Sequence, residues 1–180
     1  MPFKASVYIA SSLDGYIARN DGELDWITGH ENGDADEDFG YKNFMDSIDV
    51  IVMGRNTYEK ILSFDFWPYS DKHVVVLSSG NPEIPVALRK GITIKNDPPK
   101  KIVESLSKEG FEHGYIDGGI TIQSFLNAGL LDELIITRIP VLIGSGVPMF
   151  GELKQDIHLN HVKTTTFSNG FVQHHYRVKN

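Results

Sequence analysis

Cysteine is absent from the 180-residue sequence. Its absence excludes a disulfide framework and any thiolate metal site, and it suits a reducing compartment. Long apolar runs are also absent, because residues 1–18 alternate short apolar bursts with Ser, Asp and Gly. They lack both the h-region of a signal peptide and the roughly 20 apolar residues of a membrane span. We therefore expect a cytoplasmic protein that is neither exported nor inserted.

Basic side chains are scarce relative to acidic ones. The 17 Lys and Arg residues stand against 24 Asp and Glu residues, which gives a formal net charge of −7. A surplus of negative charge repels phosphate backbones, so nucleic acid is not an expected partner. The length is enough for one buried core, and we expect residues 1–180 to form a single domain.

Short apolar segments rich in β-branched residues alternate with segments of helical pattern. The apolar segments predict buried strands at residues 7–10, 50–53, 74–77, 115–116 and 134–139. Helices are predicted at residues 36–46, 57–62, 99–109 and 121–128. A repeated strand–helix order requires crossovers, which place helices on both faces of a mainly parallel sheet. The predicted fold class is therefore a three-layer α/β/α architecture.

The C-terminal part has a different pattern. Extended segments at residues 164–166 and 171–178 are joined by Ser168, Asn169 and Gly170, and Asn-Gly is a strong hairpin signal. This predicts an antiparallel hairpin added to the parallel core, in a mixed sheet of about eight strands. Residues 29–38 carry five acids in ten positions and are the expected flexible insertion.

Three of the predicted strands end in residues suited to phosphate. In parallel sheets, strand ends lead into helix N-termini, where free amides favour anions. The three junctions carry Gly54, Arg55 and Thr57; then Ser78 and Ser79; then Gly118, Gly119, Ile120 and Thr121. Taken singly, each has a structural alternative: a helix cap, an arginine paired with an acid, or a simple turn. Together they predict one elongated site for a phosphate-bearing cofactor.

The order of these motifs resembles the dihydrofolate reductase family. It is more similar still to the reductase domain of the bifunctional riboflavin-biosynthesis deaminase/reductase and its stand-alone bacterial relatives. The first strand and active-site loop of the family are matched by residues 12–18 and 22–26. Its three cofactor segments are matched by residues 52–59, 77–79 and 116–119. Residues 131–134 and 140–150 are similar to the riboflavin-type branch. The likeness covers essentially the whole chain and implies a dihydrofolate reductase-like fold.

The resemblance implies NADPH as the hydride donor and a homodimer that pairs through late strands. It implies that Gly54, Arg55 and Thr57 bind the phosphate region of the cofactor and that Ser78 and Ser79 lie beside the adenosine. Gly118 and Gly119 would approach the pyrophosphate, at the point where Ile120 and Thr121 begin a helix. Ile17 and Ala18 would border the nicotinamide. These assignments define the expected cofactor site.

Two acids are candidates for proton transfer and substrate binding. Folate reductases carry a substrate-binding acid sixteen positions before the Gly-Arg-x-Thr motif, which leads to Asp38, with Asp36 and Glu37 as alternatives. Asp14 leaves the first strand at its carboxyl end, where substrate should lie. Trp26 is a further candidate substrate contact. The competing explanation for Asp36, Glu37 and Asp38 is that they are solvated acids at a helix start. Asp14 would then be a turn carboxylate, and Trp26 a packing anchor.

The expected function is an NADPH-dependent reductase of a pteridine- or aminopyrimidine-like heterocycle. Folate itself is disfavoured, because Lys72 replaces the arginine that grips its glutamate tail and lysine cannot form the same bidentate fork. The alternative is a nucleotide-binding module that kept the fold without turnover. No metal site is predicted, since the neighbouring His174 and His175 would point to opposite faces of a strand.

Overall fold

The computed structural model describes residues 3–28 and 37–179. The strands of these residues are β1 (Lys4–Ser12), β2 (Tyr16–Ala18), β3 (Val50–Gly54), β4 (His73–Leu77), β5 (Ile92–Lys95), β6 (His113–Asp117), β7 (Glu133–Ile139), β8 (Val147–Pro148), β9 (Leu159–Thr166) and β10 (Val172–Val178). Their α-helices are α1 (Asp25–Thr28), α2 (Tyr41–Asp46), α3 (Arg55–Leu62), α4 (Pro99–Lys108) and α5 (Gly119–Asn127).

Eight of the strands form one sheet in the order β5-β4-β3-β6-β1-β7-β10-β9. Neighbours from β5 to β7 run parallel, whereas β10 runs antiparallel to both β7 and β9. The predicted mixed, mainly parallel sheet with a C-terminal hairpin is therefore confirmed. Gly170 has φ 85 in the hairpin turn, the left-handed conformation that glycine adopts without a steric cost.

Helices cover both faces because successive side chains of a buried strand point to opposite sides. Val52 of β3 belongs to a buried apolar cluster that includes Leu106 of α4 and Phe125 of α5. Its neighbour Met53 belongs to a second cluster, which includes Phe44 of α2. The sheet is thus the middle of three layers, and both faces of its centre are dry.

Several short elements were not predicted. Strand β5 is a four-residue strand at the sheet edge, and β2 with β8 forms a separate two-stranded sheet. Segments this short carry too few residues to show a period-2 pattern. Close packing fixes the small sheet, since a Cβ at Gly146 would overlap the carbonyl oxygen of Ala18.

The helix predicted over residues 36–46 begins later than expected, at Tyr41. Phe39 and Gly40 have φ of 58 and 82, and a left-handed backbone cannot belong to a right-handed helix. Asp36 and most of the acidic stretch 29–38 lie outside the described residues. No helix in the described ranges has the length and apolar character needed to cross a bilayer.

Candidate active site

The strand order brings the three predicted phosphate junctions side by side. Strands β4, β3 and β6 are consecutive in the sheet and parallel, so their carboxyl ends share one edge. At that edge lies a slot of about 700 Å³, within the range of small-molecule sites. The three motifs, which are far apart in sequence, therefore border one continuous cavity.

Every residue expected to contact the cofactor lines this slot. The set comprises Ile17, Ala18, Gly54, Arg55, Thr57, Ser78, Ser79, Gly118, Gly119, Ile120 and Thr121. Their individual roles toward a dinucleotide stay predictions. Their convergence on one cavity is the arrangement that the sequence predicted.

Glycines allow the β3 and β6 junctions to pack tightly. Gly118 has φ 91, and a Cβ added there would overlap Oγ1 of Thr57; a Cβ on Gly54 would lie 3.0 Å from Oγ1 of Thr121. Bare backbone therefore lines the slot where α5 begins at Gly119. Anions are favoured at such a helix N-terminus by its free amides and dipole.

Arg55 lines the slot and also pairs with an acid, as the structural alternative proposed. Its Nε donates to Oε1 of Glu59 at 2.7 Å, and the two side chains are 53% and 47% exposed. Exposed pairs of this kind are weak, and the guanidinium keeps further N–H donors for a ligand. Ser78 likewise combines two arrangements: its Oγ accepts from the N–H of Gly80 at 3.1 Å in a turn that borders the slot.

A largely buried carboxylate, Asp117, also lines the slot. Burial raises the pKa of Asp117 to about 6. Hydrogen bonds from the N–H of Gly118 and from the Tyr115 hydroxyl favour the charged form and oppose this increase. The N–H of Gly118 donates to Asp117 Oδ1 at 2.8 Å. Asp117 thus combines access to the slot with a protonated fraction near neutral pH, which are the properties of a general acid.

Sequence reasoning missed Asp117 as a candidate acid because it read the residue as part of a glycine turn. A signal was present: the acid directly follows the buried run Gly114–Tyr115–Ile116 at a strand's carboxyl end. An acid there must lie at the slot edge of the sheet.

Asp14 lies outside the residues that line the slot and holds a neighbouring loop. Its Oδ1 accepts from Ser12 Oγ at 2.6 Å, and its Oδ2 accepts from the N–H of Gly144 at 2.7 Å. The Ser12 hydrogen bond is the main reason that the pKa of Asp14 is lowered. Its substrate-facing role stays a prediction, and these contacts fit the alternative of a turn carboxylate.

Asp38 also lies outside the slot lining. Its carboxylate accepts from the N–H groups of Gly40 at 2.8 Å and Lys42 at 3.0 Å, and these bonds lower its pKa. Glu37 accepts from the N–H of Phe39 at 2.8 Å in the same segment. These are the contacts of acids at a helix start. A catalytic role for Asp38 stays a prediction, and it lacks the raised pKa that a neutral proton donor needs.

Trp26 and Lys72 make packing and backbone contacts, and a substrate contact by Trp26 stays a prediction. Trp26 is 5% exposed and belongs to a small cluster with Ile139 and Phe171, which fits a packing anchor. Lys72 Nζ donates to the carbonyl of Ile48 at 2.9 Å, near the amino ends of the strands and away from the slot. Within the described ranges, no group of three or more His, Asp or Glu residues is placed to hold a metal ion.

The sheet topology and its edge slot define the class of protein as dihydrofolate reductase-like. Dihydrofolate reductase from Enterococcus faecalis, complexed with NADP(H), has this fold, with a TM-score of 0.69, 19% identity, and coverage of 99% of this chain and 98% of that one. At this level of identity the likeness establishes the fold alone. The predicted fold class is confirmed.

A sequence model of the RibD C-terminal domain matches residues 5–173. The chain therefore belongs to the RibD C-terminal domain family, which confirms the predicted resemblance. A Shewanella sp. PV-4 protein with the provisional name of a riboflavin biosynthesis protein is 41% identical, with a TM-score of 0.92 over 99% of this chain and 100% of its own. A Thermotoga maritima diaminohydroxyphosphoribosylaminopyrimidine deaminase / 5-amino-6-(5-phosphoribosylamino)uracil reductase is 17% identical, with a TM-score of 0.73 over 99% of this chain and 57% of its own.

Proposed function

We propose that this protein is an NADPH-dependent reductase of a small, flat heterocycle, of the riboflavin-pathway aminopyrimidine type rather than folate. The observation that carries the proposal is the convergence of three phosphate-type junctions and a largely buried acid on one slot. Membership of the RibD C-terminal domain family and the dihydrofolate reductase-like fold support the same class of reaction.

The slot offers the donors that a phosphate-bearing dinucleotide requires. Bare backbone at Gly118 and Gly119 fits a pyrophosphate, Arg55 supplies a cation, and Thr57 and Ser79 contribute hydroxyls. NADPH bound there would supply the hydride, while the protein contributes position and charge. The complex of the Enterococcus faecalis enzyme with NADP(H) supports a dinucleotide in this fold.

Hydride transfer to the substrate must be balanced by a proton. Asp117 lines the slot, and its raised pKa of about 6 keeps part of the population protonated near neutral pH. Asp14 and Asp38, the acids expected from the sequence, are committed to hydrogen bonds that lower their pKa. We therefore assign proton transfer to Asp117 in this proposal.

Apolar side chains dominate the part of the slot that lies beyond the cofactor junctions. Leu24 and Ile27 line it from the β2–α1 region, and Ile61 and Phe64 line it from the end of α3. An apolar lining of this kind suits a flat ring. The uracil reductase named for the Thermotoga maritima neighbour acts on an aminopyrimidine of this kind, which makes that compound the first substrate to assay.

The alternative is a module that binds nucleotides without turnover. A buried titratable group costs stability and has no part in simple nucleotide binding, whereas catalytic sites commonly contain one. The position of Asp117 in the slot therefore favours the enzyme.

NADPH binding tests the cofactor assignment. We expect NADPH to change the tryptophan fluorescence, and Arg55→Ala to weaken binding by about 1.5 to 3 kcal/mol, the range for a hydrogen bond to a charged group. Arg177→Ala, at an exposed position of β10, is the matched control. Equal NADPH affinity of the wild type and Arg55→Ala would remove the assignment, and NADH titrated in parallel measures the preference for the 2′-phosphate.

Turnover tests the catalytic assignment. With 5-amino-6-(5-phosphoribosylamino)uracil as substrate, we expect Asp117→Asn to lower kcat by about 10²- to 10⁴-fold, the usual contribution of a general acid. NADPH affinity should stay within a factor of about three, since the substitution is nearly isosteric and removes a negative charge. Unchanged kcat in Asp117→Asn would assign the proton elsewhere, and NADPH binding without oxidation of any assayed substrate would favour the non-catalytic module.

A further inference from the structure

We propose that Lys60 determines substrate specificity by binding an anionic group of the substrate, in exchange for its present partner Glu23. The proposal rests on the function proposed above and adds the residue that recognises the anionic tail of the substrate. Neither residue stands out in the sequence, because Lys60 lies in the last turn of an ordinary helix and Glu23 lies in a polar turn.

Lys60 lies in the part of the slot that the cofactor residues leave free. It follows Arg55 by five positions on α3, which places it about 7.5 Å further along the helix axis at ~1.5 Å per residue. It lines the slot together with Ile61 and Phe64. The ammonium is thus held near the apolar surfaces that would enclose a ring.

Charge makes Lys60 the natural partner of a substrate anion. Among the described residues that line the slot, the cations are Arg55 and Lys60, and the acids are Asp97 and Asp117. Arg55 is assigned to the cofactor, so Lys60 is the remaining cation. An anionic substrate entering a protein of net charge −7 needs such a group, because it otherwise meets repulsion throughout.

The contact with Glu23 shows that Lys60 already holds a carboxylate at this position. Lys60 Nζ donates to Glu23 Oε1 at 2.7 Å, with the side chains 28% and 58% exposed. A pair this exposed is weak, because solvent screens both charges. A phosphate dianion carries more charge than one carboxylate and can therefore displace it.

Glu23 belongs to a turn that has its own internal bonds. The guanidinium of Arg19 donates to both carboxylate oxygens of Asp25, at 2.6 and 2.9 Å, and the N–H of Arg19 donates to the carbonyl of Glu23 at 3.0 Å. Loss of the Glu23–Lys60 pair therefore leaves the turn folded. The exchange requires a side-chain movement and no refolding.

Binding of simple anions tests the proposal without any turnover. Phenyl phosphate, benzoate and phenol are titrated by isothermal calorimetry into protein saturated with NADP⁺, at constant ionic strength. We expect phenyl phosphate to bind about tenfold or more tightly than phenol, as for a charge-assisted hydrogen bond. The comparison with benzoate distinguishes phosphate from carboxylate as the preferred tail.

The variants decide between Lys60 and general electrostatics. Lys60→Met should abolish the preference for phenyl phosphate over phenol, whereas Lys163→Met, at an exposed position on β9, should retain it. Glu23→Gln should tighten phenyl phosphate binding severalfold, because it removes the competing carboxylate. A preference that survives Lys60→Met, or a wild type that binds none of the anions, overturns the proposal.

A separate arm keeps this inference distinguishable from the proposed function. In the Arg55→Ala variant without any cofactor, the same titration reports on Lys60 alone. A Lys60-dependent anion preference there, together with a wild-type protein that fails to bind NADPH, would overturn the proposed function and keep the anion site. NADPH oxidation with a phosphorylated and a dephosphorylated aminopyrimidine at equal KM would overturn the anion site and keep the reductase.

Discussion

At the scale of single residues, three aspartates differ in their position relative to the slot and in the direction of their pKa shift. Asp14 and Asp38 accept backbone hydrogen bonds outside the slot, and both have a lowered pKa. Asp117 is largely buried within the slot, and its pKa is raised. Aspartate pKa values are therefore shifted in opposite directions within one molecule. The surroundings of each carboxyl group decide which acid can donate a proton.

The raised pKa of Asp117 predicts an unusual dependence of stability on pH. Its pKa rises from 3.8 to about 6 on folding, so folding favours the protonated acid. The resulting contribution of Asp117 to the free energy of unfolding is fully present below pH 3.8 and is lost as the pH rises through about 6. Asp117→Asn should therefore gain stability relative to the wild type as the pH rises from 4 to 7, by up to about 3 kcal/mol at about 1.4 kcal/mol per pKa unit.

Urea unfolding at several pH values measures this difference. Asp65→Asn, an exposed acid, serves as the control and should follow the wild type at every pH. A free-energy difference between Asp117→Asn and the wild type that stays constant with pH would show that Asp117 has an ordinary pKa.

At the scale of elements, the slot depends on two junctions that touch. The end of β3 and the start of α5 meet through glycines, because Thr57 Oγ1 and Thr121 Oγ1 occupy the space that side chains at Gly118 and Gly54 would need. The sequence predicted glycine junctions at both places. It could not show that the glycines of one junction face the threonines of the other.

Gly118→Ala tests this contact. The substitution should destabilise the protein through two effects: its φ of 91 and the overlap with Thr57. Gly110 has the same φ of 91 with nothing within 4 Å of an added Cβ, so Gly110→Ala isolates the backbone cost of about 1 to 2 kcal/mol. We expect Gly118→Ala to cost about 1 kcal/mol or more beyond that in thermal unfolding. Equal losses in the two variants would show that the junction has room to spare.

At the scale of the whole molecule, the exposed edge of the sheet is relevant to assembly. Strand β9 ends the eight-stranded sheet, and its side chains include the exposed Leu159 and Val162. A sheet edge with apolar side chains favours pairing with another chain. This arrangement fits the homodimer implied by the resemblance, in which late strands pair the subunits.

Light scattering tests the dimer. We expect a particle of twice 20.1 kDa, and Val162→Lys on β9 should shift it toward the monomer because a charge would be buried in the interface. Val86→Lys, at a residue 76% exposed elsewhere on the surface, should leave the mass unchanged. A wild-type particle of 20.1 kDa would exclude the dimer.

Local sequence patterns were enough to predict the layer architecture, the parallel core, the C-terminal hairpin and the three junctions that line the slot. Strand and helix periods, turn residues and glycine–hydroxyl motifs are local properties, so they can be read without the fold. Asp117 was within reach of the same reasoning, since it ends a buried strand beside the glycine pair.

The identity of the largely buried acid, and of the cations that line the slot, depended on the tertiary structure. Burial and pairing depend on residues distant in sequence: Met53 beside Asp117 on the neighbouring strand, Gly144 on Asp14, and Glu23 on Lys60. The pKa and charge of a side chain follow from these neighbours. Local sequence patterns therefore indicate where a site lies, whereas the chemistry of the site depends on contacts that form only when the chain folds.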